Sequence, residues 1–204
     1  MSVHVIAVTG GPCGGKSGAA APIRAFFSAK GYTVLTIAET ATELIDGGIS
    51  PKTCPTPLAY QTLQMDLQLE KERVVTEAAG VIGAKETLIV CDRGAVDCQA
   101  YLSDADYEAL LARFELTHAA LLARYDAVFH MVSTAVDAPR AYTLANNSAR
   151  TETPEEAAAL DAQVREAWRG HPYVRLIDNA TDFDGKLARL LDAIWAFLQA
   201  CDSP

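Results

Sequence analysis

The sequence predicts an α/β protein: a three-layer αβα sandwich around a five-stranded parallel sheet. Three observations predict it. Five short apolar runs fit buried strands. Helical stretches separate them. The first strand runs directly into a glycine-rich loop that ends in Lys16-Ser17. Alternating strands and helices give a parallel sheet covered on both faces. Ligands of such sheets bind beyond the carboxyl ends of the strands, so the loops after the strands are where chemistry is expected.

Each element has its own justification. Val3-His4-Val5-Ile6-Ala7-Val8 is a short apolar run suited to a buried strand. After the glycines, Ser17 to about Lys30 reads as a helix with Ile23, Phe26 and Phe27 on its apolar side, and Gly31 is placed to end it. Tyr32 to Ile37 is a second strand. Glu39 to Asp46 reads as a short helix stopped by Gly47-Gly48. Pro51, Pro55 and Pro57 mark an aperiodic loop. A long helix is expected from Leu58 to Ala79, with Tyr60, Leu63, Leu67, Val74 and Ala78 near helical spacing. Thr87 to Cys91 is a third strand, helical segments follow near 104–114 and 117–125, and Ala127 to Val132 is a fourth strand. Residues 133–151 read as irregular and polar. Thr153-Pro154-Glu155-Glu156 then opens a helix: Thr153 caps it, Pro154 suits its first position, and Glu156 reaches back to complete a capping box. Tyr173 to Ile177 is a fifth strand. The last helix, about Asp184 to Ala200, places Leu187, Leu190, Leu191, Ile194 and Leu198 on one side.

The 204 residues suit a single domain, 1–204, large enough to bury a full core without disulfides or a structural metal. The net charge is −9, carried mainly by the second half, with 9 basic and 16 acidic residues after position 100. So acidic a chain is a poor general binder of nucleic acid, and a phosphate site in it must work by local geometry. No apolar run approaches the roughly 18–20 residues of a membrane span. The opening residues lack the pattern of a secretion signal. Five scattered cysteines, with no CxxC pair, suggest a reducing, cytoplasmic setting rather than disulfides or zinc. Oligomeric state is open.

Gly10-Gly11-Pro12-Cys13-Gly14-Gly15-Lys16-Ser17 satisfies G-x-x-x-x-G-K-[ST] between a buried strand and a helix, the context that gives the motif meaning. Glycines let the main chain curl so that its N–H groups point at phosphate oxygens, and the helix start adds its positive end. Gly11, Pro12, Cys13, Gly14, Gly15, Lys16, Ser17 and Gly18 are the candidate nucleotide-binding residues. Lys16 can reach the β- and γ-phosphates, and the Ser17 hydroxyl can ligate Mg²⁺. Cys13 is either a reactive thiol or a filler at a variable position.

Asp92 and Arg93 close the third strand. A carboxylate there suits the Mg²⁺ shell, and an adjacent guanidinium can neutralise charge on a transferring phosphoryl group. Asp97 either faces the same cleft or caps a short helix. Glu39, at the mouth of the second strand, is either a general base for a phosphoryl acceptor or a first-turn residue that suits the helix dipole. Tyr60 and Gln61 are placed where they could line an acceptor pocket. His4, His118, His130 and His171 show no metal-ligand spacing, and His130 reads as a packed strand residue. Trp168 and Trp195 read as core.

Together the run 9–17, Glu39-Thr40-Ala41-Thr42, Cys91-Asp92-Arg93-Gly94, Trp168-Arg169-Gly170-His171-Pro172-Tyr173, Ile177-Asp178-Asn179 and Asp182-Phe183 resemble a group of stand-alone P-loop domains described as ATP/GTP-binding. The group includes an animal translocation-defect GTP-binding protein, and it is similar to the kinase domain of a nicotinamide-riboside-kinase regulator. The resemblance implies a sheet ordered 2-3-1-4-5 and a lid at about 133–153. It implies that Glu39 acts as base, that Asp92-Arg93 works at the phosphates and metal, and that Arg140 and, better, Arg150 close over the nucleotide. It places Asn179 where a purine edge would lie, although a turn-forming Asn explains that residue equally. Asp178-Asn179 is not the signature by which signalling GTPases select guanine.

The expected function is a Mg²⁺-dependent phosphotransferase. It would move the γ-phosphate of ATP or GTP to a hydroxyl of a small metabolite, nucleoside-like by the resemblance. Lys16, Asp92, Arg93 and Glu39 would be catalytic, and Ser17 and Asp92 would hold the metal. The alternatives are a nucleotide-dependent switch that binds a partner, and a plain NTPase.

Overall fold

Why the five apolar runs assemble in one order is visible in the computed structural model, which describes residues 2–137 and 153–201. Five strands, β1 (Ser2–Thr9), β2 (Thr33–Ile37), β3 (Glu86–Asp92), β4 (Ala127–Met131) and β5 (Val174–Ile177), form one parallel sheet in the order β2-β3-β1-β4-β5. The first strand is therefore central, with Val8 beside Asp92 on one side and Phe129 on the other.

Alternation along the strands assigns the two faces. Ile6, Val8, Leu88, Val90, Phe129 and Met131 pack against α1 (Lys16–Ala29) and α8 (Phe183–Cys201), through Ala19, Ile23, Phe27, Leu190, Ile194 and Leu198. Ala7, Ile89, Cys91 and Val128 face the other layer. That layer holds α3 (Pro57–Ile82), a 3₁₀ helix (Ala95–Tyr101), α4 (Asp104–Arg113), α5 (His118–Leu122) and α7 (Pro154–Ala167). Trp168, almost fully buried, seats α7 against this core. The helix starts obey their sequence signals. Thr56 caps α3 ahead of Pro57, and Thr153 and Glu156 form the expected reciprocal box, with amide-to-side-chain bonds of 2.8 and 3.2 Å.

Three details differ from the sequence reading. A single helical turn, α6 (Thr134–Asp137), stands where 133–151 read as irregular, and the 3₁₀ helix was not anticipated. The buried face of α3 is also rotated from the apolar stripe. Leu63 and Val74 are exposed, whereas Gln61, Met65, Gln68 and Glu72 are buried. For Gln68 and Glu72 the reason is a buried polar chain. Thr40 donates to Gln68 (2.5 Å), Gln68 to Glu72 (2.9 Å), and Glu72 also accepts from Tyr125 (2.5 Å) and Arg124 (2.7 Å). Satisfied hydrogen bonds let polar groups occupy a core face that composition alone assigns to apolar ones. The expected lid at 133–153 falls mostly outside the described residues, as do Arg140 and Arg150. Among the described residues no helix is long and apolar enough to cross a membrane.

Candidate active site

The glycine-rich loop joins the carboxyl end of β1 to α1, at the centre of the sheet. Gly10 adopts φ +132°, and a Cβ there would stand 2.2 Å from the Met131 carbonyl oxygen. Only glycine meets both demands. Cys13 also has a positive φ, 58°.

The loop is held from outside through its carbonyls. Lys16 Nζ donates to the oxygens of Gly10 (2.9 Å) and Gly11 (2.7 Å), and Arg93 Nη1 also reaches Gly10 (3.1 Å). The Ser133 hydroxyl donates to the Pro12 carbonyl, and the Thr134 amide to that of Cys13 at 3.4 Å. Asp161 of α7 anchors one donor: its Oδ1 accepts from the Gly11 amide (2.7 Å) and the Ser133 amide (3.0 Å), while Oδ2 meets His130 Nε2 at 3.1 Å. Burial pushes the Asp161 carboxyl up, but these bonds prevail and hold it below the ordinary range. Ser133, Thr134 and Asp161 carry no local motif. Only the fold brings residues more than 110 positions apart in sequence to the loop. His130 is packed, as the sequence suggested.

On the β3–β2 flank the charged residues converge. Arg93, φ 70°, donates from Nε to Glu39 Oε1 at 2.5 Å and lies 3.4 Å from Asp97. The Thr42 hydroxyl donates to the other Glu39 oxygen at 2.7 Å. Burial pushes the Glu39 carboxyl up, but the Arg93 and Lys16 charges and the Thr42 bond outweigh it and bring the pKa down to about 2. Burial, aided by the neighbouring Arg93 charge, lowers Lys16 to about 8 against the pull of Glu39, Asp92 and Asp97. Asp97 does not cap the 3₁₀ helix. It is fully buried, accepts from the Thr9 hydroxyl (2.5 Å) and Trp168 Nε1 (2.6 Å), and backs Arg93.

Asp92 stands beside Ser17, and both line the same cavity. Burial is the main cause that raises the Asp92 pKa, and its Oδ1 is buried with no hydrogen-bond partner among the described residues. A buried orphan carboxylate oxygen next to a hydroxyl fits a hard divalent cation that takes the rest of its ligands from phosphates and water. Among the described residues no cluster of three or more His, Cys, Asp or Glu forms a metal cage, which such a site does not need.

A cavity of about 310 Å³ opens beside this cluster, between α1 and β2. Ala20, Ile23, Ile37 and Val90 form its apolar floor, and Ser17, Glu39, Thr42 and Asp92 stand at its polar side. Tyr60 and Gln61 do not line it. Both are buried on the α3 side, and the Tyr60 hydroxyl is raised to about 12 by burial first and by Glu39 next.

The expected base contact is already used within the protein. Asn179 Nδ2 donates to the Ser133 carbonyl (2.9 Å), and its Oδ1 accepts from Lys186 (2.7 Å). It ties the β5–α8 loop to the turn after β4. Gly15 and Gly18 leave room for Phe183: a Cβ would stand 2.6 Å from Cε2 at the first and 3.0 Å from Cζ at the second.

A protein-family model described as an AAA domain matches residues 5–186. No curated protein matches the chain.

Proposed function

We propose that this chain, which belongs to the AAA-domain family and has the P-loop NTPase fold, binds a magnesium nucleoside triphosphate along residues 10–18 and directs its γ-phosphate to an oxygen nucleophile beside Glu39. The observation that carries this reading is the convergence of Lys16, Ser17, Asp92, Arg93 and Glu39 around one externally braced loop. Nucleotide binding and hydrolysis are the general chemistry of the family; the residue roles here are our assignment.

Lys16 exchanges its two carbonyl bonds for β- and γ-phosphate oxygens, which restore the charge that burial opposes. Ser17 and Asp92 hold Mg²⁺, which when bound neutralises phosphate oxygens. Arg93 shifts from Glu39 toward the departing phosphoryl group and stabilises its charge. Glu39, released from that ion pair, orients the nucleophile and takes its proton. The nucleophile is the hydroxyl of a small molecule seated in the 310 Å³ cavity, whose size suits a small ligand and whose polar side includes Glu39.

A second reading rests on a different observation. Both Glu39 oxygens are already hydrogen-bonded, and a carboxyl at about 2 is a weak base. Such a residue fits slow hydrolysis by water, with the nucleotide acting as a switch for a partner.

A panel of small hydroxylated metabolites separates the two, with release of nucleoside diphosphate as readout. Transfer predicts release that depends on one acceptor, with phosphorylated product in equal amount. Glu39→Gln then lowers turnover roughly 100-fold while nucleotide affinity stays nearly constant. Turnover unchanged in Glu39→Gln removes Glu39 as proton acceptor. Release independent of every acceptor replaces the first reading with the second.

A further inference from the structure

We infer that Trp168 is a positioning residue for Arg93, acting through the buried carboxylate of Asp97. The inference rests on the proposed role of Arg93 at the departing phosphoryl group and adds the group that keeps the guanidinium in place.

Arg93 has two carboxylate neighbours of unequal kind. Glu39 accepts from Nε at 2.5 Å and is the partner that the proposed reaction releases. Asp97 lies 3.4 Å from Nη1 and is fully buried, with both oxygens engaged: Oδ1 accepts from Trp168 Nε1 (2.6 Å) and Oδ2 from the Thr9 hydroxyl (2.5 Å). Once Nε leaves Glu39, the Nη1 contacts with Asp97 and with the Gly10 carbonyl (3.1 Å) hold the guanidinium at the loop. A charge that must meet a transferring group keeps its aim only if its remaining anchors are fixed.

Trp168 touches both sides of that anchor. Its N–H fixes Asp97, and its ring closes on the main chain next to Arg93, where a Cβ on Gly94 would stand 2.7 Å from Cη2 and 2.8 Å from Cζ2. The ring is itself wedged edge-on between Tyr125 and His171, with centroids 5.1 and 6.0 Å away. His171 locks the turn, because its Nε2 donates to the Tyr125 carbonyl at 2.8 Å. The stretch Trp168-Arg169-Gly170-His171, which the phosphate chemistry leaves unused, thereby gains a task. Trp168 also stands just past the end of α7, about two turns beyond Asp161. One helix thus fixes Gly11 of the phosphate loop through Asp161 and the Arg93 turn through Trp168.

Packing alone accounts for a buried ring but not for this pairing. A buried indole N–H needs an acceptor, and a backbone carbonyl would serve it without withdrawing a charge from water. A carboxylate in that place is offset by a cation, and the ion-pair partner of Asp97 is Arg93.

A double-mutant cycle on the full chain, read as nucleoside diphosphate release from Mg-ATP and Mg-GTP, tests the assignment. Trp168→Phe keeps the ring and loses the N–H. It lowers kcat roughly tenfold or more while KM stays nearly constant. In an Arg93→Ala background the same substitution has no further effect, because the group it positions is gone. The same loss in both backgrounds, or wild-type kcat in Trp168→Phe, overturns the inference. A second measurement leaves Trp168 intact. The chain has two tryptophans, so Trp195→Phe makes the emission that of Trp168, which responds to the charge beside Asp97. Saturating Mg-nucleoside triphosphate shifts this emission as Arg93 moves, and the shift is lost when Arg93→Ala is added. An unmoved emission, or a shift that survives Arg93→Ala, also overturns the inference. The emission decides if Trp168→Phe fails to fold or if bound nucleotide is not turned over. Wild type that binds neither nucleotide contradicts the triphosphate site itself, a failure distinct from these.

Discussion

The two flanks of the phosphate loop are built in contrasting ways. The β3–β2 flank is dense with charge and withdrawn from solvent: Lys16, Arg93, Glu39 and Asp97 form a connected set, and Asp97 is fully buried. On the β4–β5 flank among the described residues the charged groups are spread out: Asp161 accepts from the Gly11 and Ser133 amides, Lys186 donates to Asn179 and the Val132 carbonyl, and the Arg189–Asp178 pair lies at the surface. The difference teaches where the proposed phosphoryl chemistry belongs. Charge development at a transferring phosphoryl group rewards dipoles and ions fixed in advance in a site of low dielectric. Fixing charge has a cost visible on the first flank, where Lys16 is lowered to about 8 and Arg93 adopts a left-handed backbone.

The first flank also has a buried polar scaffold. Thr40, next to Glu39, connects through Gln68, Glu72 and Tyr125 to the Ala95 amide, two residues past Arg93, where Tyr125 accepts at 2.7 Å. One buried chain thus joins the two loops that supply the ion pair. Glu72→Ala removes its centre and leaves the Tyr125 hydroxyl and half-buried Arg124 without their acceptor. A loss of roughly 3 kcal/mol in urea unfolding is expected, the largest effect among these predictions. A loss below about 1 kcal/mol, in the range of an exposed pair, would show that the two loops are held independently and would erase the contrast.

A smaller effect sharpens it. The folded protein holds Glu39 at about 2, below the ordinary 4.5, so its stabilising share is complete above pH 4.5 and is lost as pH falls toward 2. Acid unfolding of wild type should therefore be steeper over this window than that of Glu39→Gln. Identical acid profiles would mean that the Arg93 pair adds nothing to the fold. Lys16 is a cost rather than a gain while it is charged. Its folded value lies below 10.5, so its share of stability rises as pH climbs from about 8 to 10.5. Phosphate binding favours its charged form, so a triphosphate should bind with proton uptake near pH 8 and above.

The sequence made the sheet and the loop readable because their signals are local. Apolar runs, a capping box at Thr153 and Glu156, and G-x-x-x-x-G-K-S each lie within a few residues. That Glu39, Asp92 and Arg93 converge on the loop was legible because each stands at or just past the end of β2 or β3. Asp161, Ser133 and Thr134 were not found, since nothing near them in sequence announces a contact with Gly11, Pro12 or Cys13. The buried face of α3 was misread because Gln68 and Glu72 look solvent-bound until their partners Thr40, Tyr125 and Arg124 arrive from other elements. Asn179 was expected to meet a purine edge, but its amide is bonded to Ser133 and Lys186.

Titration calorimetry of Mg-ATP and Mg-GTP into wild type and Lys16→Ala, at pH 7 where Lys16 is charged, tests the central claim most directly. The account predicts saturable binding of at least one nucleotide to wild type and a loss of about 100-fold in Lys16→Ala, with both proteins folded. No heat from either nucleotide, or equal affinity in the two proteins, would contradict it.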